Sequence, residues 1–467
     1  MKSLHSSATW RVFSVASVAI FLVSIDTTLL FAAFNTLRVE FSESTASDMS
    51  WVLNAYTIVY AALLVPAGRF VDVFGRKRIF MLGLSLFLLA SLLCGLAPNI
   101  ESLIATRVLQ AIGAALITPS SLALVLGAFP VEKRAVGVSL WGAVGALAAA
   151  LGPSIGASVV DILGWSWAFF INLPLGTIAL WLGRDTLTEW RNSETRVPFD
   201  AIGVLLLILG IGSVAYGIVQ SEHAHWLSLA VLAPVISGAF ILSIFYMWSR
   251  RIAHPALDLS LFADPSYRFV NLATVTFGTA FSMMFFSYFL FLIEVWKYPL
   301  PLAGIAVTPG PLLVVPVAII TGRIAARIGH RLILCVGSAL YAAGGLWFYL
   351  KVGATPNYLG AWLPGLIFTG LAIGMILPSL SAAAVAKLPA NRFGIGSAVN
   401  QAVRQISSVL GVSITVVVVV GGIAPQLIDF KHLYLTHIAL SLVTGLLCLG
   451  IDTHPKKATM QIDSTAS

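Results

Sequence analysis

The feature that most constrains this chain is a series of long apolar runs that recurs from one end to the other. Each run is near the ~20 residues that a helix needs to cross a hydrocarbon core. Because backbone groups in lipid must be satisfied internally, such a chain folds as an all-α polytopic membrane protein. We predict fourteen helical spans, at 12–34, 50–70, 79–97, 102–126, 136–160, 165–183, 201–219, 226–248, 270–293, 302–322, 331–350, 360–384, 395–420 and 433–451.

The composition supports the membrane class and excludes others. Hydrophobic residues make up 58% of the chain and charged residues only 10%, and the mean hydropathy is +0.95. Soluble domains carry about 25% charged residues. The formal net charge of +8 does not indicate a nucleic-acid partner, because the basic residues lie in short segments between apolar runs rather than on one face.

The distribution of Lys and Arg predicts the orientation. If the N-terminus is cytoplasmic, 21 of the 27 basic residues fall in cytoplasmic segments, four fall outside and two lie within spans. This excess follows the positive-inside rule, so both termini are expected in the cytoplasm. The first apolar run is too long for a cleavable signal peptide and contains Asp26. Cys94, Cys335 and Cys448 all lie in spans, so we predict no disulfide framework and no metal site.

One short segment, GRFVDVFGRKR at 68–78, lies between the second and third spans. Gly68 and Gly75 permit a tight turn, and the charged residues are too polar for hydrocarbon, so we predict a cytoplasmic loop. A related segment, GRIAARIGHRL, occupies 322–332. Two further pairs of segments recur in the same order, namely 118–124 with 377–383 and 130–139 with 389–397. This internal repeat predicts two pseudo-equivalent helical bundles.

Further short motifs lie within the spans. They are DTT at 26–28, RVLQAIG at 107–113, LGPSIGA at 151–157, FINLPLG at 170–176 and TPGP at 308–311. Together with the segment at 68–78, they resemble the signatures of the major facilitator superfamily, within its fourteen-span drug:proton antiporters. The resemblance covers nearly the whole chain, although Ala157 stands where the span 5 antiporter signature ends in glycine.

The resemblance implies the major facilitator fold, with two six-helix bundles plus a two-helix insertion and with cytoplasmic N- and C-termini. The expected organisation is an N-terminal six-helix bundle at 1–184, a cytoplasmic connector at 185–200, an inserted two-helix hairpin at 201–250, a C-terminal six-helix bundle at 251–452 and a cytoplasmic tail at 453–467.

Two opposite charges lie within predicted spans 1 and 4. An ionisable residue in a span costs about 2.5–3.5 kcal/mol on insertion scales, so each is a functional candidate. At ~1.5 Å per residue, Asp26 lies about 9 Å and Arg107 about 8 Å from the outer edge of the hydrocarbon core. We predict that Asp26 binds the coupled proton and that Arg107 stabilises its charged form. The alternative is a structural ion pair that only fixes helix packing.

Arg404 is the third charge within a span, and Gln401 and Gln405 flank it at helical spacing. We assign these three residues to the substrate cavity, where Arg404 holds water or an anionic substrate group. Packing of Arg404 against backbone carbonyls is the alternative. Glu294 is a further cavity candidate, but both Glu294 and Asp161 lie near outer span ends, where each is either a solvated residue or a second proton or cation site.

The resemblance also implies roles for two motifs. The segment at 68–78 is expected to act as a cytoplasmic gate latch, in which the aspartate faces basic residues of the other bundle. The residues of this gating loop are Gly68, Asp72, Gly75, Arg76 and Lys77. The antiporter motif is expected to form a swivel contact between the bundles and to favour export, with ordinary packing of small residues as the alternative. Its residues are Gly152, Pro153 and Gly156.

These observations predict a proton-coupled secondary active transporter of the cell membrane that exports hydrophobic or amphipathic compounds by alternating access. Its expected partners are a lipophilic small molecule, protons and the lipid bilayer; we expect a monomer without a cofactor. One alternative is an exporter of a dedicated endogenous metabolite or lipid, and another is a polytopic membrane enzyme. The absence of an HExxH motif, a paired histidine box and a Walker loop disfavours an enzyme or an ATP-driven pump.

Overall fold

The computed structural model of the protein describes residues 2–41, 46–130, 133–189, 200–221, 224–253, 255–257, 259–388, 392–420 and 426–453. All regular elements in this part of the chain are helical, as predicted. The α-helices are α1 (Lys2–Glu40), α2 (Ala46–Phe74), α3 (Arg76–Gly95), α4 (Ile100–Ala128), α5 (Arg134–Leu163), α6 (Trp167–Phe170), α7 (Asn172–Thr186), α8 (Ala201–Gln220), α9 (Leu229–Ser249), α10 (Pro265–Glu294), α11 (Leu300–Val307), α12 (Pro309–Ile328), α13 (Arg331–Lys351), α14 (Leu363–Ala383), α15 (Phe393–Thr415) and α16 (Leu427–Cys448). A 3-10 helix (Leu259–Ala263) precedes α10, and π-helical turns occupy Tyr358–Trp362 and Val416–Val420.

The number of membrane spans is twelve or thirteen by length and composition of the described helices. The thirteenth is α5, whose segments Val136–Ala149 and Ser154–Leu163 meet at 43° where Pro153 removes a backbone hydrogen bond. The predicted span at 165–183 forms the shorter helices α6 and α7 instead, and Pro174 occupies the first turn of α7, where proline is tolerated. Fourteen spans therefore stay a prediction.

The two copies of the glycine motif adopt the same backbone, and neither is an extended loop. Helix α2 continues through Gly68 and ends at Phe74, and α12 likewise passes through Gly322. Only one glycine of each copy breaks the helix, Gly75 with φ = 103° and Gly329 with φ = 81°, and both angles favour glycine. The break between helices is thus reduced to Gly75 in the first copy and to Gly329 and His330 in the second, because a charged helix end can extend beyond the hydrocarbon with its backbone bonds intact.

The helices form two groups with a hairpin beside them. Helices α1 to α7 pack on one another, with α1 along α5 and α3 along α4, and α10 to α16 form the second group, with α10 along α15. Helix α8 packs against α2 and α15, one helix from each group. Helix α9 lies outside α8, with only 17% of its apolar window buried, and it presents large apolar side chains such as Phe240. Such a surface is suited to lipid contact.

The two groups meet along two seams that enclose the candidate site. Helix α2 packs against α15 in one seam, and α5 packs against α11, α12 and α14 in the other. At the first seam, a Cβ added to Gly68 would lie 3.4 Å from that of Ala398. Gly68 therefore contributes a close approach between helices of different groups rather than a turn.

Candidate functional site

A central cavity of about 190 Å³ lies between the two groups of helices. Helices α1, α2, α4 and α5 supply one wall, and α10, α12, α14 and α15 supply most of the other. The exposed area of the lining is mainly apolar, although polar side chains from several helices are interspersed in it, and a largely apolar surface with polar groups is typical of a small-molecule site. Three of the predicted cavity residues, Arg404, Gln401 and Gln405, lie on this lining.

Glu294 is not among the described residues that line the cavity, and its assignment to the substrate cavity stays a prediction. It is the last residue of α10, and its carboxylate lies 3.8 Å from Nζ of Lys297 with the side chain 36% exposed. The 30-residue helix α10 is about 45 Å long at ~1.5 Å per residue, and Glu294 lies at its C-terminal end. Asp161, near the end of α5, is exposed as well.

Asp26 and Arg107 form a buried ion pair among the N-terminal helices. Arg107 Nη1 donates to Asp26 Oδ2 at 2.6 Å, and both side chains are 1% exposed. Two amides bond the other carboxylate oxygen: Gln110 Nε2 donates to Oδ1 at 2.8 Å and Asn172 Nδ2 at 2.9 Å. The carboxylate thus accepts three hydrogen bonds, and charge-assisted bonds of this kind offset much of the cost of burying it.

Arg107 is held by a second set of contacts. Its Nε donates to the carbonyl of Val52 at 3.2 Å, and its Cζ lies 4.1 Å from the centre of the Tyr56 ring, in a cation–π contact. The hydroxyl of Ser91 accepts hydrogen bonds from both amides that bond the carboxylate, at 2.8 and 3.2 Å. The cluster therefore joins side chains or backbone of α1, α2, α3, α4 and α7.

Asp26 lies behind Arg107 as seen from the cavity. Arg107 lines the cavity, as do Ser24, Thr27 and Thr28 of α1, but Asp26 does not. Residues of a helix turn by 100° each, so the face of α1 that carries Asp26 points into the N-terminal group instead. Asp26, the candidate proton-binding residue, is thus connected to the cavity through Arg107.

The sequence predicted the ion pair but not the amides around it. Gln110 follows Arg107 by three residues, a spacing that places both on one helix face, so it could have been found from the sequence. Ser91 and Asn172 belong to other helices, and no local pattern reports that they meet Asp26.

Arg404 lies on the opposite wall of the cavity, in α15. Its side chain is half-buried, and within the described residues its guanidinium makes no hydrogen bond and no ion pair. Tyr60, which also lines the cavity, has its hydroxyl bonded to Thr118 Oγ1 at 2.7 Å. The arginine is thus available to a molecule that enters the cavity.

Three phenylalanines of α10 form a ladder on the same wall, which the sequence analysis missed. The ring centroids of Phe277 and Phe281 are 6.1 Å apart, those of Phe281 and Phe285 are 5.6 Å apart, and both pairs are stacked. All three rings line the cavity. Gly278 permits α10 to approach α15 closely, near the backbone carbonyl of Arg404. The ladder and the arginine therefore stand on adjacent helices.

The first glycine motif is held by the segment that follows α7. The carboxylate of Glu189 accepts hydrogen bonds from the backbone N–H groups of Lys77 (3.3 Å) and Arg78 (3.1 Å). Nζ of Lys77 donates to the carbonyl of Arg184 at 2.6 Å. A carboxylate at a helix N-terminus satisfies free N–H groups and complements the helix dipole, so these contacts fix the start of α3 within the N-terminal group.

The second glycine motif is held in the same way by the segment that follows α16. The backbone N–H of His330 donates to Thr453 Oγ1 at 2.8 Å, and Nε of Arg331 donates to the carbonyl of Ile451 at 2.7 Å. Burial lowers the pKa of His330 to about 4, so the imidazole is neutral at neutral pH. The internal duplication thus extends from sequence to contacts.

The gate-latch role of the first motif stays a prediction. The side chain of Asp72, its central residue, lies outside the described part of the structure. Nη1 of Arg76 donates to the carbonyl of Ala123 in α4 at 3.0 Å, which is again a contact within the N-terminal group. Among the described contacts of the gating-loop residues, that of Gly68 with Ala398 reaches the other group.

Replacing Glu189 with Gln should loosen the start of α3. The variant loses a charge-assisted cap, and such a cap contributes about 0.3–1 kcal/mol. We expect a small decrease in the thermal unfolding temperature of purified protein, larger at low than at high salt. Asp185→Asn is the matched control, because Asp185 is an exposed acidic residue near the end of α7, four residues before Glu189. Equal unfolding temperatures for both variants would contradict the capping role.

The glycines of the antiporter motif lie against α1. A Cβ added to Gly152 would overlap Thr28 Oγ1, and one added to Gly156 would lie 2.9 Å from the carbonyl oxygen of Leu29. The motif thus permits close packing of α5 on α1. The side chain of Pro153 lies outside the described residues.

Ser154, between those glycines, reaches the other group of helices. Its hydroxyl donates to the carbonyl of Gly304 at 2.8 Å and is hydrogen-bonded to Thr308 Oγ1. Helix α5 therefore presents its glycines to α1 and a serine to α11 and α12. The swivel role of the motif stays a prediction, and this polar contact is where it would act.

Comparisons with known proteins point to one family. The family model "Major Facilitator Superfamily" matches residues 16–412. The multidrug resistance protein Stp of Mycobacterium tuberculosis is 30% identical over 85% of this chain and 73% of its own length. The puromycin resistance protein pur8 of Streptomyces alboniger is 32% identical over 90% of this chain and 84% of its own. The crystal structure of the human organic anion transporter MFSD10 (TETRAN) covers 94% of this chain and 99% of its own, with a TM-score of 0.67 and 16% identity.

Proposed function

The chain belongs to the Major Facilitator Superfamily, and on that premise we propose that it is a drug-efflux transporter that exports hydrophobic or amphipathic compounds, antibiotics included. The observation that carries this proposal is the mainly apolar cavity between the two groups of helices, with the buried Asp26–Arg107 pair at its wall. The resistance functions in the names of the relatives support it. Family and relatives indicate a transporter rather than an enzyme, in the cell membrane and multi-pass.

The proposed driving reaction is proton antiport through Asp26. A proton on Asp26 would neutralise the carboxylate and remove the charge that Arg107 pairs with at 2.6 Å. Arg107 also lines the cavity. Protonation of Asp26 would therefore leave Arg107 without its counter-charge at the substrate site. Coupling of this kind is reciprocal, so a bound substrate would in turn change the proton affinity of Asp26.

The proposed topology has fourteen spans, with α6 and α7 together as the sixth, and both termini in the cytoplasm. The excess of Lys and Arg in the predicted cytoplasmic segments supports this orientation. The contacts of α8 with both groups support a hairpin inserted between two six-helix bundles. Alternating access would then rock one bundle against the other about the central cavity. We propose that the transporter acts as a monomer.

Inverted membrane vesicles with an acidic lumen provide the test. We expect lipophilic fluorescent substrates to accumulate in the lumen while the lumen loses protons, and both signals to vanish when the gradient is collapsed. Vesicles without the protein are the control. Accumulation that continues without a gradient would contradict proton coupling. If correctly folded protein moves none of a panel of lipophilic compounds of either charge, drug export is wrong, and an exporter of a dedicated metabolite or lipid takes its place.

A further inference from the structure

The central cavity contains one positive charge that no residue of its lining balances. Among the described residues, its lining includes two arginines and no Asp or Glu. Arg107 is neutralised by Asp26. Arg404 has no hydrogen-bond or ion-pair partner in the described part of the chain. The binding space therefore carries the field of one guanidinium.

An unpaired guanidinium in the middle of a membrane protein is unfavourable, and a ligand whose negative group pairs with it gains affinity. Arg404 is the twelfth residue of α15, about 17 Å from the start of that helix at ~1.5 Å per residue, and thus near mid-membrane depth. Charges at this depth are expensive unless they are paired. A carboxylate, sulfonate or phosphate forms short, charge-assisted bonds with a guanidinium, often two in parallel.

The surroundings of Arg404 indicate what the rest of the ligand is. Gln401 and Gln405 also line the cavity, one turn before and one residue after the arginine, and their amides can bond further polar atoms. The ladder of Phe277, Phe281 and Phe285 lines the cavity on the adjacent helix, and Phe281 is the most exposed of its three rings. Aromatic faces attract flat apolar bodies and also cations. A cation, however, would meet the positive charge of Arg404 without any carboxylate on the lining to offset it.

We propose that the cavity selects organic anions with a flat aromatic body, and that Arg404 binds the anionic group while the phenylalanine ladder packs on the body. This proposal rests on the proposed transport function, because it names the substrate class of the same cavity. This cavity then differs from one with an unpaired carboxylate, which would favour lipophilic cations.

Three probes that share one naphthalene body and differ in charge test this selection: 2-naphthylacetate, 2-naphthylacetamide and 2-(2-naphthyl)ethylammonium. Binding is measured with the purified full-length protein in lipid nanodiscs, where no gradient or transport is needed. We expect the carboxylate to bind about tenfold or more tighter than the amide, because a hydrogen bond to a charged group commonly contributes that factor. The ammonium should bind weakest.

Variants of Arg404 test whether this residue causes the preference for the carboxylate probe. Arg404→Gln should remove the advantage of the carboxylate while amide binding changes little, which shows that the cavity persists. Arg404→Lys keeps the charge and should retain much of the preference. Arg251→Gln is the matched control, since it removes an exposed arginine outside the cavity. A wild-type preference for the ammonium, binding of none of the probes, or an unchanged preference in Arg404→Gln would each overturn the proposal.

A transport measurement in inverted vesicles separates this proposal from the proposed function. If the purified protein binds the carboxylate preferentially and Arg404→Gln abolishes that preference, the assignment of the anion site stands even when no probe accumulates, and drug export alone fails. If probes accumulate irrespective of their charge, export stands and the anion selectivity is wrong.

Discussion

Proton-driven transport should fall to background in Asp26→Asn, and the protein should lose about 3–5 kcal/mol of stability, the usual result of removing one partner of a buried ion pair. The substitution keeps the shape of the side chain but places an amide where Arg107 now finds a carboxylate oxygen at 2.6 Å. Arg107 is then a buried cation without a counter-charge. Both losses are measured on one preparation, by thermal unfolding in detergent and by substrate uptake into inverted vesicles.

A double variant separates the proton role from the structural role of this pair. Asp26→Asn with Arg107→Gln removes both charges together, so no uncompensated cation is left, and much of the thermal stability should return. Coupled transport should not return, because no titratable group remains at the site. Full coupling in the double variant would show that Asp26 is not the proton site and that the pair serves helix packing.

Gly156→Ala should destabilise the protein by about 1–3 kcal/mol, which is the usual cost of overpacking a close contact. The added methyl would lie 2.9 Å from the carbonyl oxygen of Leu29 and 2.7 Å from its Cγ. Because the backbone of α1 cannot rotate out of the way, α1 and α5 have to separate. Separation also displaces Asp26, three residues before Leu29, so uptake into vesicles should decrease as well.

Gly142→Ala in the same helix is the matched control. Apart from the neighbouring backbone of α5 itself, no atom lies within 4 Å of a Cβ placed at Gly142, and alanine is a better helix former than glycine by up to about 1 kcal/mol. The control should therefore unfold at the wild-type temperature or slightly above it. If Gly156→Ala unfolds at the same temperature as Gly142→Ala, the close contact between α1 and α5 is wrong.

The sequence by itself determined the class and the family of this protein. In a membrane, long apolar runs satisfy their backbone hydrogen bonds by forming helices. Composition and run length were therefore enough to predict the all-helical membrane fold. The repeat of GRFVDVFGRKR as GRIAARIGHRL predicted a duplication, and Gly75 and Gly329 have the matching backbone. The shared depth of Asp26 and Arg107 made them candidates for a pair, because two opposite charges at one depth in hydrocarbon stabilise each other.

Only the tertiary structure decided which residues meet. The amides of Gln110 and Asn172 bond Asp26, and Glu294 lies at the C-terminal end of α10 beside Lys297. The contact of Asn172 with Asp26 could not be read from the chain, since a membrane helix is apolar nearly all round and its sequence does not mark the face that turns inward. Depth follows from position in one helix, but direction and partner follow from the packing of several helices at once.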